Sequence, residues 1–401
     1  MRVLLWTYDT RGGIEPLIGL AVQLRALGAE VRVCAPPDEQ LAERAAGFGV
    51  PMVPFGDSLR EVANSTTPDL PRYVDELIGA QLTTVTAAAE GCDALVATGF
   101  MPIAAAARSA AEKLGIHYVY ATYTPTNLPS PHHRPEAPAS GPMSVPWLSN
   151  RILWDMHARN ANVVFGPMLN KHRASIGLPP VHNVRDHAIT DRPWLAADPV
   201  LGPWKTPADL DVVQTGAWLL PDERPLPADL LAFLDDGPPP VYVGFGSMPM
   251  DASTDIAGVA IEAVRAQGHR TLLSRGWADL ALIDDLDDCF AIGETNLPEL
   301  FGRVAAVVHH GGAGTTRTAA LAGVPQVVIP QVADQPYWAR RVAALGIGSA
   351  HSGQAATAES LSAALKKALA PQTRERATAV AGSIRTDGAT VAAKLLIDAI
   401  S

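Results

Sequence analysis

The sequence is short of the residues that mark several common protein classes. Only three of its 401 residues are cysteines, Cys34, Cys92 and Cys289, and no two of them form a CxxC pair. Neither a disulfide framework nor a zinc site is therefore expected, and a reducing cytoplasm is the setting that fits. Uncharged apolar runs of about 18 residues, which a transmembrane helix needs, are also missing, so we expect no transmembrane segment.

Positive charge is scarce as well. The chain has 31 Lys and Arg residues against 41 Asp and Glu residues, which gives a formal net charge of −10. Nucleic-acid-binding proteins usually carry a basic face, so this balance argues against nucleic acid as a partner. The first residues, Met1 to Trp6, continue into a polar turn without a small-residue cleavage site, so we expect no secretory signal peptide.

The chain does contain enough apolar residues to build a core. Hydrophobic residues make up 48% of it, which is too apolar for a disordered protein. At roughly 100–200 residues per domain, the length suggests two or three domains. Composition alone goes no further, so the function has to be inferred from motifs.

Short apolar runs and helical periodicity alternate in two stretches of the chain. The first has predicted strands at 2–6, 30–35, 50–55, 94–98 and 118–122, and helices at 16–27, 72–90 and 103–114. The second has predicted strands at 241–245, 271–274, 305–309 and 326–330, and helices at 256–267 and 313–322. A last amphipathic helix is predicted at 389–400. Strands separated by helices form βαβ units and parallel sheets, so the fold class is α/β with two such halves.

Two proline-rich stretches interrupt the alternation. Residues 124–146 contain seven prolines and the adjacent His132 and His133. Long loops are uncommon without a function, so this one either shapes a binding cleft or is a plain surface loop. Residues 196–240 are rich in proline and acidic residues, and we interpret them as the connection between the two domains.

The most informative segment is HHGGAGTT, residues 309–316. It follows an apolar strand and opens a helix, and a glycine-rich turn in that position is an arrangement that binds phosphate. Backbone N–H groups at the helix start point at the ligand, and glycines let its oxygens approach closely. The hydroxyls of Thr315 and Thr316 add donors, and a histidine beside the turn can donate a charge-assisted hydrogen bond to a diphosphate.

Other nucleotide-binding patterns do not match this segment. It has no Gly-Lys-Ser/Thr, so it is not a Walker A loop, and it lacks the GxGxxG of NAD- and FAD-binding proteins. The remaining alternative is a glycine-rich turn of purely structural role, with a histidine in the core.

Two further turns follow strands of the second half. The GFGS turn at 244–247 ends the first of these strands, and ligands of open α/β sheets lie beyond the carboxyl ends of strands, so Ser247 is expected to face the same crevice as Thr315. Asp334 and Gln335 follow the strand at 326–330, and a carboxylate beside an amide can grip the vicinal hydroxyls of a sugar. Asp334 could equally be a helix N-cap.

Together these residues resemble the nucleotide-sugar-binding segment of GT-B glycosyltransferases. The similarity rests on HHGGAGTT and on PQVVIPQVADQPYWARRV, residues 325–342. GPPPVYVGFGS at 237–247 and RVLLWTYDTRGGIEPL at 2–17 resemble, more specifically, the glycosyltransferases that decorate vancomycin-group antibiotics. The resemblance covers nearly the whole chain.

The resemblance implies two Rossmann-like domains facing a deep cleft. Residues 1–207 would bind the acceptor, residues 208–385 the nucleotide sugar, and residues 386–401 would form a helix that crosses back to the first domain. It also implies an inverting transfer that needs no metal, with a UDP- or dTDP-sugar donor and no separate cofactor. The acceptor would be a natural-product aglycone such as a glycopeptide, a polyketide or another aromatic compound, and we expect a cytoplasmic monomer or weak dimer.

The resemblance also assigns residues to the donor. They are Ser247, Trp277, Ile292, His309, His310, Gly312, Gly314, Thr315, Asp334 and Gln335. His310, with His309 beside it, would contact the diphosphate, and Ser247 would reach a phosphate from the other side. Asp334 and Gln335 would hold the sugar hydroxyls. Trp277 and Ile292 would lie near the base.

The acceptor side departs from the family pattern. The acceptor-side candidates are Arg11, Gly12, Gly13, His132 and His133. Inverting transfer to a hydroxyl needs a base, which the relatives supply as an Asp in Ser-Arg-Gly-Asp-x-Glu-Pro, whereas this chain has Gly13 at that position. Asp9 in the same loop is our candidate for the base. Alternatives are Glu15 or the two histidines, an acceptor that ionises easily, or an enzyme that has lost most of its activity.

Two other functions remain open at this point. One is a nucleotide-sugar epimerase of the same fold, against which the resemblance of the acceptor half counts. The other is a non-catalytic auxiliary partner of a glycosyltransferase, which only the missing Asp supports.

Overall fold

The computed structural model describes most of the chain. Its described residues are 1–64, 70–135, 148–247, 255–277, 280–282, 284, 286–351 and 356–400. Contacts between Cα atoms divide it into two compact units. The first comprises Met1–Pro199, Pro203–Leu220 and Arg385–Ser401, and the second comprises Val200–Gly202 and Pro221–Ile384.

The strands, in chain order, are β1 Arg2–Trp6, β2 Glu30–Ala35, β3 Met52–Pro54, β4 Ala94–Ala97, β5 His117–Thr122, β6 Trp194–Leu195, β7 Val213–Gln214, β8 Val241–Gly244, β9 Thr271–Ser274, β10 Cys289–Ile292, β11 Ala306–His309, β12 Gln326–Val328 and β13 Gly348–Ala350.

The helices are α1 Arg11–Ala26, α2 Glu39–Gly47, α3 Leu59–Asn64, α4 Leu70–Ala89, α5 Met101–Leu114, α6 Asn150–Ser175, α7 Val184–Ile189, α8 Ala228–Asp235, α9 Ile256–Arg265, α10 Leu297–Phe301, α11 Ala313–Leu321, α12 Gln335–Leu345, α13 Ala358–Ala368, α14 Pro371–Ala381 and α15 Gly388–Ile400.

Each unit is built on one parallel sheet with the same order of strands. The first sheet runs β3-β2-β1-β4-β5-β6-β7 and the second runs β10-β9-β8-β11-β12-β13. In each sheet the order reverses direction beside the unit's first strand, between β1 and β4 and between β8 and β11. Ligands of open α/β sheets bind at the carboxyl ends of the strands flanking such a reversal. The predicted α/β class with two parallel sheets is confirmed.

The first sheet is held in place by helices that pack on it. Leu5 of β1, Val33 of β2 and Leu17 of α1 are completely buried in one apolar cluster, which also takes in Leu396 of α15. Burial of one such side chain stabilises the fold by about 1.5–3 kcal/mol. Thr390 of α15 also donates its hydroxyl to Gln23 Oε1 of α1 at 2.9 Å, so the C-terminal helix is part of the first unit.

The second sheet is covered on both faces. One face places Val243 and Val308 against α9 and α13. On the other face Tyr242 and Phe301 pack with α8 and α11, and the two rings meet edge to face at 5.0 Å between centroids. Strands buried on both sides are expected to be continuously apolar, and the sequences of β8 and β11 follow this pattern up to their last residues.

Helix α1 begins earlier than the sequence predicts. It starts at Arg11 instead of residue 16, because Gly13 and Ile14 both donate their N–H groups to the carbonyl of Thr10. Pro16, expected in the first turn, lies inside the helix. Glycine has a poor helix propensity, so the pair Gly12–Gly13 concealed the first turn.

The two proline-rich stretches are more structured than the sequence suggests. Of the loop at 124–146, residues 136–146 lie outside the described residues, while Thr124 and Leu128 are buried, so its first part is not a plain surface loop. The stretch at 196–240 contains β7, which pairs with β6 in the first sheet, and α8, which packs in the second unit. The units divide at Pro221, whereas residues 203–220 pack with the first unit.

Candidate functional site

Three loops meet at the carboxyl ends of β8, β9 and β11 in the second unit. His309 pairs with Gly244 in the sheet register, so the GFGS and HHGG turns leave neighbouring strands side by side. The N–H of Trp277, after β9, donates to the carbonyl of Gly246 at 2.9 Å. A Cβ atom on Gly246 would lie 3.3 Å from Cε1 of His310, so the imidazole rests against the GFGS turn.

The glycine-rich turn depends on having no side chains at two positions. Gly311 has φ of +95°, which favours glycine, and a Cβ there would lie 2.6 Å from Val328 Cγ1. A Cβ on Gly312 would lie 2.6 Å from Nε2 of His310. Gly312 is also the N-cap of α11 and offers no side-chain cap, so the first-turn N–H groups face whatever occupies the turn.

His310 is a neutral imidazole at this turn. Burial lowers its pKa to about 4, so it carries no charge at neutral pH. Its Nδ1 atom is buried and, within the described part of the chain, has no hydrogen-bond partner. A buried polar atom without a partner costs about 1–3 kcal/mol, and an anion or hydroxyl bound at the turn would remove that cost.

His309 lies beneath the turn, completely buried. Its Nδ1 accepts the N–H of Gly311 at 3.0 Å, so its Nε2 carries the proton and donates to Oε1 of Gln326 at 2.9 Å. Gln326 in turn donates to the carbonyl of Thr316 at 3.2 Å. Burial lowers the pKa of His309 to about 3. Through these hydrogen bonds His309 stabilises both ends of the glycine-rich turn, and its buried ring is not accessible to a ligand.

The other residues predicted for the base and phosphates lie around the same edge of the sheet. Ser247, Trp277, Gly314 and Thr315 are partly accessible there. Ile292 has its side chain buried in a core cluster, and its carbonyl accepts the N–H of Arg275 at 3.0 Å. Only the backbone of Ile292 thus borders the loop after β9.

Asp334 and Gln335 stand at the start of α12 and are held by the protein. Asp334 occupies the N-cap position, but its side chain makes no capping hydrogen bond and instead accepts the indole N–H of Trp338 at 2.7 Å. Gln335 is 4% exposed, and its Oε1 accepts the N–H groups of Gln331 at 2.7 Å and Val332 at 3.0 Å. Gln335 fixes the loop after β12, and Asp334 is the more accessible of the two.

In the first unit, Asp9 lies just beyond the carboxyl end of β1. Its Oδ1 accepts the N–H of Thr10 at 2.6 Å. Burial raises the pKa of Asp9 above its usual range, against the lowering effect of the Thr10 hydrogen bonds. A Cβ on Gly13 would lie only 2.5 Å from Oδ2 of Asp9, so the carboxylate fills the space that a side chain at position 13 would need.

The remaining acceptor-side candidates have other partners. Arg11 forms a two-pronged ion pair with Asp38, at 3.0 and 3.1 Å, and Glu15 accepts from Arg44 at 2.9 Å. The Nε2 atom of His132 lies 2.9 Å from the carbonyl of Pro207. His133 contacts the carbonyl of Leu128 at 2.8 Å, and burial lowers its pKa. Gly12 is exposed in the first turn of α1.

No group of three or more His, Cys, Asp or Glu side chains among the described residues could hold a metal ion. No helix among them is long and apolar enough to cross a membrane. The three cysteines are buried free thiols.

Comparison with known proteins shows which family this chain belongs to. Residues 287–392 match the model of the erythromycin biosynthesis protein CIII-like C-terminal domain, and residues 12–169 match that of the glycosyl transferase 4-like domain. The glycosyltransferase VinC, solved in complex with dTDP, superposes with a TM-score of 0.69 at 20% identity, covering 100% of this chain and 99% of that one.

Two relatives from Amycolatopsis orientalis align over the whole chain. The vancomycin aglycone glucosyltransferase is 56% identical over 405 residues, 100% of this chain and 98% of the relative. The dTDP-epi-vancosaminyltransferase is 53% identical over 408 residues, with the same coverage. The chain therefore belongs to the family of natural-product glycosyltransferases that includes the vancomycin aglycone glucosyltransferase, and it has the GT-B fold.

Proposed function

We propose that this enzyme transfers a sugar, with inversion at the anomeric carbon, from a UDP- or dTDP-sugar to a natural-product aglycone. The relatives named above act on a vancomycin aglycone or use a dTDP-activated sugar, and the VinC structure holds dTDP. A glycopeptide, a polyketide or another aromatic compound is the proposed acceptor class. The proposed setting is the cytoplasm and the proposed state a monomer or weak dimer, as the sequence suggests.

The donor diphosphate is proposed to lie on the turn at the start of α11. The observation that carries this is the buried, unpaired Nδ1 of His310 beside the uncapped N-terminus of that helix, at the reversal of strand order. The helix end and the Thr315 hydroxyl meet the negative charge of the leaving diphosphate, which is how the transfer proceeds without a metal in this proposal. Ser247 approaches from the neighbouring turn.

His310 acts through protonation or hydrogen bonding at the diphosphate. An anion beside it favours the protonated imidazole, because an opposite charge within a few ångströms raises a pKa that burial has lowered. Its ring cannot move far, since Gly246 and Gly312 both lie against it. The sugar hydroxyls are proposed to bind at Asp334, with Gln335 shaping the loop and Trp277 near the base.

Asp9 is the proposed general base. In the proposed step the acceptor hydroxyl gives its proton to Asp9, its oxygen bonds to the anomeric carbon, and the bond from that carbon to the diphosphate breaks. Burial raises the pKa of Asp9, which makes its carboxylate a stronger base once ionised. Glu15 is less suited because Arg44 holds it in an ion pair.

The test is incubation of the full chain with UDP-glucose or dTDP-glucose and a panel of phenolic aglycones, with products detected by mass spectrometry. Addition of a hexose mass to an aglycone is the expected result. Conversion of the free donor without any acceptor product would indicate an epimerase instead. Donor binding without either product would indicate an auxiliary protein, and each of these two results would overturn the proposal.

A further inference from the structure

The first turn of α1, which follows the loop that carries Asp9, is weakly held by its own backbone. Gly12 and Gly13 lie in this turn, and glycine is among the poorest helix formers. Pro16 lies inside the same helix and has no N–H group, so the carbonyl of Gly12, four residues earlier, lacks its usual helical donor. The position of this turn therefore depends in part on contacts from elsewhere in the first unit.

One such contact comes from Tyr123, the residue that follows β5. Its hydroxyl donates a hydrogen bond to the carbonyl of Gly13 at 2.8 Å. The two residues are 110 positions apart in the sequence, so the bond ties the end of β5 to the start of α1. Gly13 is also the position at which this chain departs from the pattern of its relatives, so the contact falls on the residue that the departure concerns.

The ring of Tyr123 is itself held by the core of the first unit. It meets the indole of Trp218 edge to face, with 6.1 Å between ring centroids. Trp218 is completely buried, its indole N–H donates to the hydroxyl of Thr215 at 3.1 Å, and its ring meets that of Trp194 at 6.4 Å. Ring pairs of this kind favour one mutual orientation. The hydroxyl that reaches Gly13 is therefore attached to a well-packed group.

Gly13 in turn is the surface against which the carboxylate of Asp9 lies. A Cβ atom on Gly13 would lie 2.5 Å from both Cβ and Oδ2 of Asp9, so the glycine backbone and the carboxylate are in close contact. On the other oxygen, Oδ1 accepts the N–H of Thr10 at 2.6 Å. A shift of the first turn of α1 would therefore open space beside Oδ2 and let the carboxylate move.

The electrostatics of the two side chains agree with this proximity. Burial raises the pKa of Tyr123, and the negative charge of Asp9 raises it further, so the phenol stays protonated and remains a hydrogen-bond donor. Burial also raises the pKa of Asp9, as expected for a carboxylate that little water reaches. A fixed first turn of α1 keeps the space beside this carboxylate closed to water.

We propose that Tyr123 is a positioning residue for the base: by holding the carbonyl of Gly13, it sets the orientation of the Asp9 carboxylate towards the acceptor hydroxyl. Tyr123 acts through Gly13 and takes no part in the proton transfer itself. The inference rests on the proposed function, since it takes Asp9 to be the base. It adds that two groups replace the missing carboxylate at position 13, a carboxylate at position 9 and a phenol that keeps it in place.

Two tyrosines give a matched pair of variants. Tyr123→Phe removes the hydroxyl and keeps the ring. Tyr118→Phe makes the same change within β5, where the hydroxyl donates to the carbonyls of Ala104 and Ala188, at 3.1 and 3.0 Å. Both variants lose hydrogen bonds within the first unit, so both are expected to melt a few degrees below the parent. Tyr123→Phe alone loosens the turn beside the proposed base.

The kinetic experiment measures kcat at saturating UDP-glucose and phenolic aglycone, and KM for UDP-glucose. We expect Tyr123→Phe to lower kcat at least about tenfold, because a misplacement of about 1 Å can cost about 10²-fold, and to leave KM within about twofold. Tyr118→Phe should leave kcat within about twofold of the parent. In the Asp9→Asn background, Tyr123→Phe should lower kcat no further, because it acts through that carboxylate.

A direct titration of the carboxyl group gives a readout that does not need sugar transfer. NMR of the full chain, labelled with carbon-13 at its aspartate carboxyl groups, follows the pKa of Asp9, and the loss of one signal in Asp9→Asn identifies it. We expect this pKa to be lower in Tyr123→Phe than in the parent, because water that enters beside the loosened turn stabilises the charged form. Tyr118→Phe should leave the pKa of Asp9 unchanged.

Three results would overturn the proposal. They are a pKa of Asp9 in Tyr123→Phe equal to that in the parent, an equal fall of kcat in Tyr123→Phe and Tyr118→Phe, or a further fall of kcat when Tyr123→Phe is added to Asp9→Asn. Failure of the proposed function would appear separately, as absence of sugar transfer by the parent chain. In that case the titration still decides whether Tyr123 holds the Asp9 carboxylate in place.

Discussion

The two units have the same order of strands, but their proposed ligand sites are built from different chemical groups. In the second unit the proposed site is mainly backbone, a glycine-rich turn and a helix N-terminus, and the imidazole of His310 packs between Gly246 and Gly312. In the first unit the proposed site consists of side chains, the carboxylate of Asp9 on the loop after β1 and the phenol of Tyr123 that is proposed to hold it. A diphosphate is the same in every donor, whereas acceptors differ.

The difference explains how each site can change. A backbone site tolerates few substitutions, because a Cβ at Gly311 or Gly312 collides with a neighbour. A side-chain site can exchange its parts one by one if each group reaches the same point in space. An exchange of this kind would account for Asp9, because its carboxylate occupies the space that a side chain at position 13 would need.

The largest effect is expected from removing the charge of Asp9. Asp9→Asn keeps the shape of the side chain and should lower kcat by about 10²–10⁴, the usual contribution of a general base. The affinity for UDP-glucose should stay unchanged, since the proposed donor site lies in the second unit. Steady-state kinetics at saturating donor measure kcat, and calorimetry measures the affinity for UDP-glucose. A kcat within about twofold of the parent would exclude Asp9 as the base.

A smaller effect should come from the glycine-rich turn, for which two glycines make a matched comparison. Gly312→Ala puts a methyl group 2.6 Å from Nε2 of His310, while Gly47→Ala, in α2 of the first unit, meets nothing within 4 Å. We expect Gly312→Ala to weaken UDP-glucose binding about tenfold or more, and Gly47→Ala to leave it within about twofold. Equal affinities of the two variants would mean that His310 does not contact the donor.

The smallest effect concerns His309, which lies beneath the glycine-rich turn and stabilises it. The folded pKa of His309 is lowered to about 3, so an unfolded chain takes up a proton at this residue below pH ~6.5 that the folded chain does not. Stability from this source is therefore present above pH ~6.5 and falls by at most about 1.4 kcal/mol per pH unit towards the folded pKa.

Melting temperatures at pH 7.5 and 5 measure this loss. We expect a fall for the parent chain and a smaller fall for His309→Gln, whose amide does not titrate. His132→Gln, on an exposed histidine, is the control and should behave as the parent does. A fall of the same size in His309→Gln and the parent would show that the buried imidazole is not the source.

Most strands were predictable because buried parallel strands leave short apolar runs, whereas fewer than half of the helices were predicted. Helix α6 was not predicted, since Pro167 interrupts it and its buried residues, among them Leu153, Ala158 and Leu169, are widely spaced among polar ones. The start of α1 was missed because two glycines occupy its first turn. In both cases tertiary packing outweighs local propensity.

The proposed donor site was recognisable in the sequence because a site made of backbone needs glycines at fixed places, and such glycines form a motif. The sequence could not show which of the two histidines supports the turn and which is proposed to contact the diphosphate, because that depends on which ring meets Gln326. The role proposed for Tyr123 left no motif, because its contact with Gly13 joins residues that are 110 positions apart. Nor could spacing alone indicate that Asp9 reaches the space over Gly13.

The most direct test of the central claim moves the carboxylate from position 9 to position 13 of the sequence, from which it is expected to reach the same space. The double variant Asp9→Gly/Gly13→Asp removes the clash at position 13 and is expected to supply a carboxylate to the same space, whereas Gly13→Asp alone puts a Cβ atom 2.5 Å from Oδ2 of Asp9. In kcat measurements at saturating donor, we expect the double variant to recover at least about tenfold over Asp9→Asn, and Gly13→Asp alone to lose activity. A double variant no more active than Asp9→Asn would contradict the account.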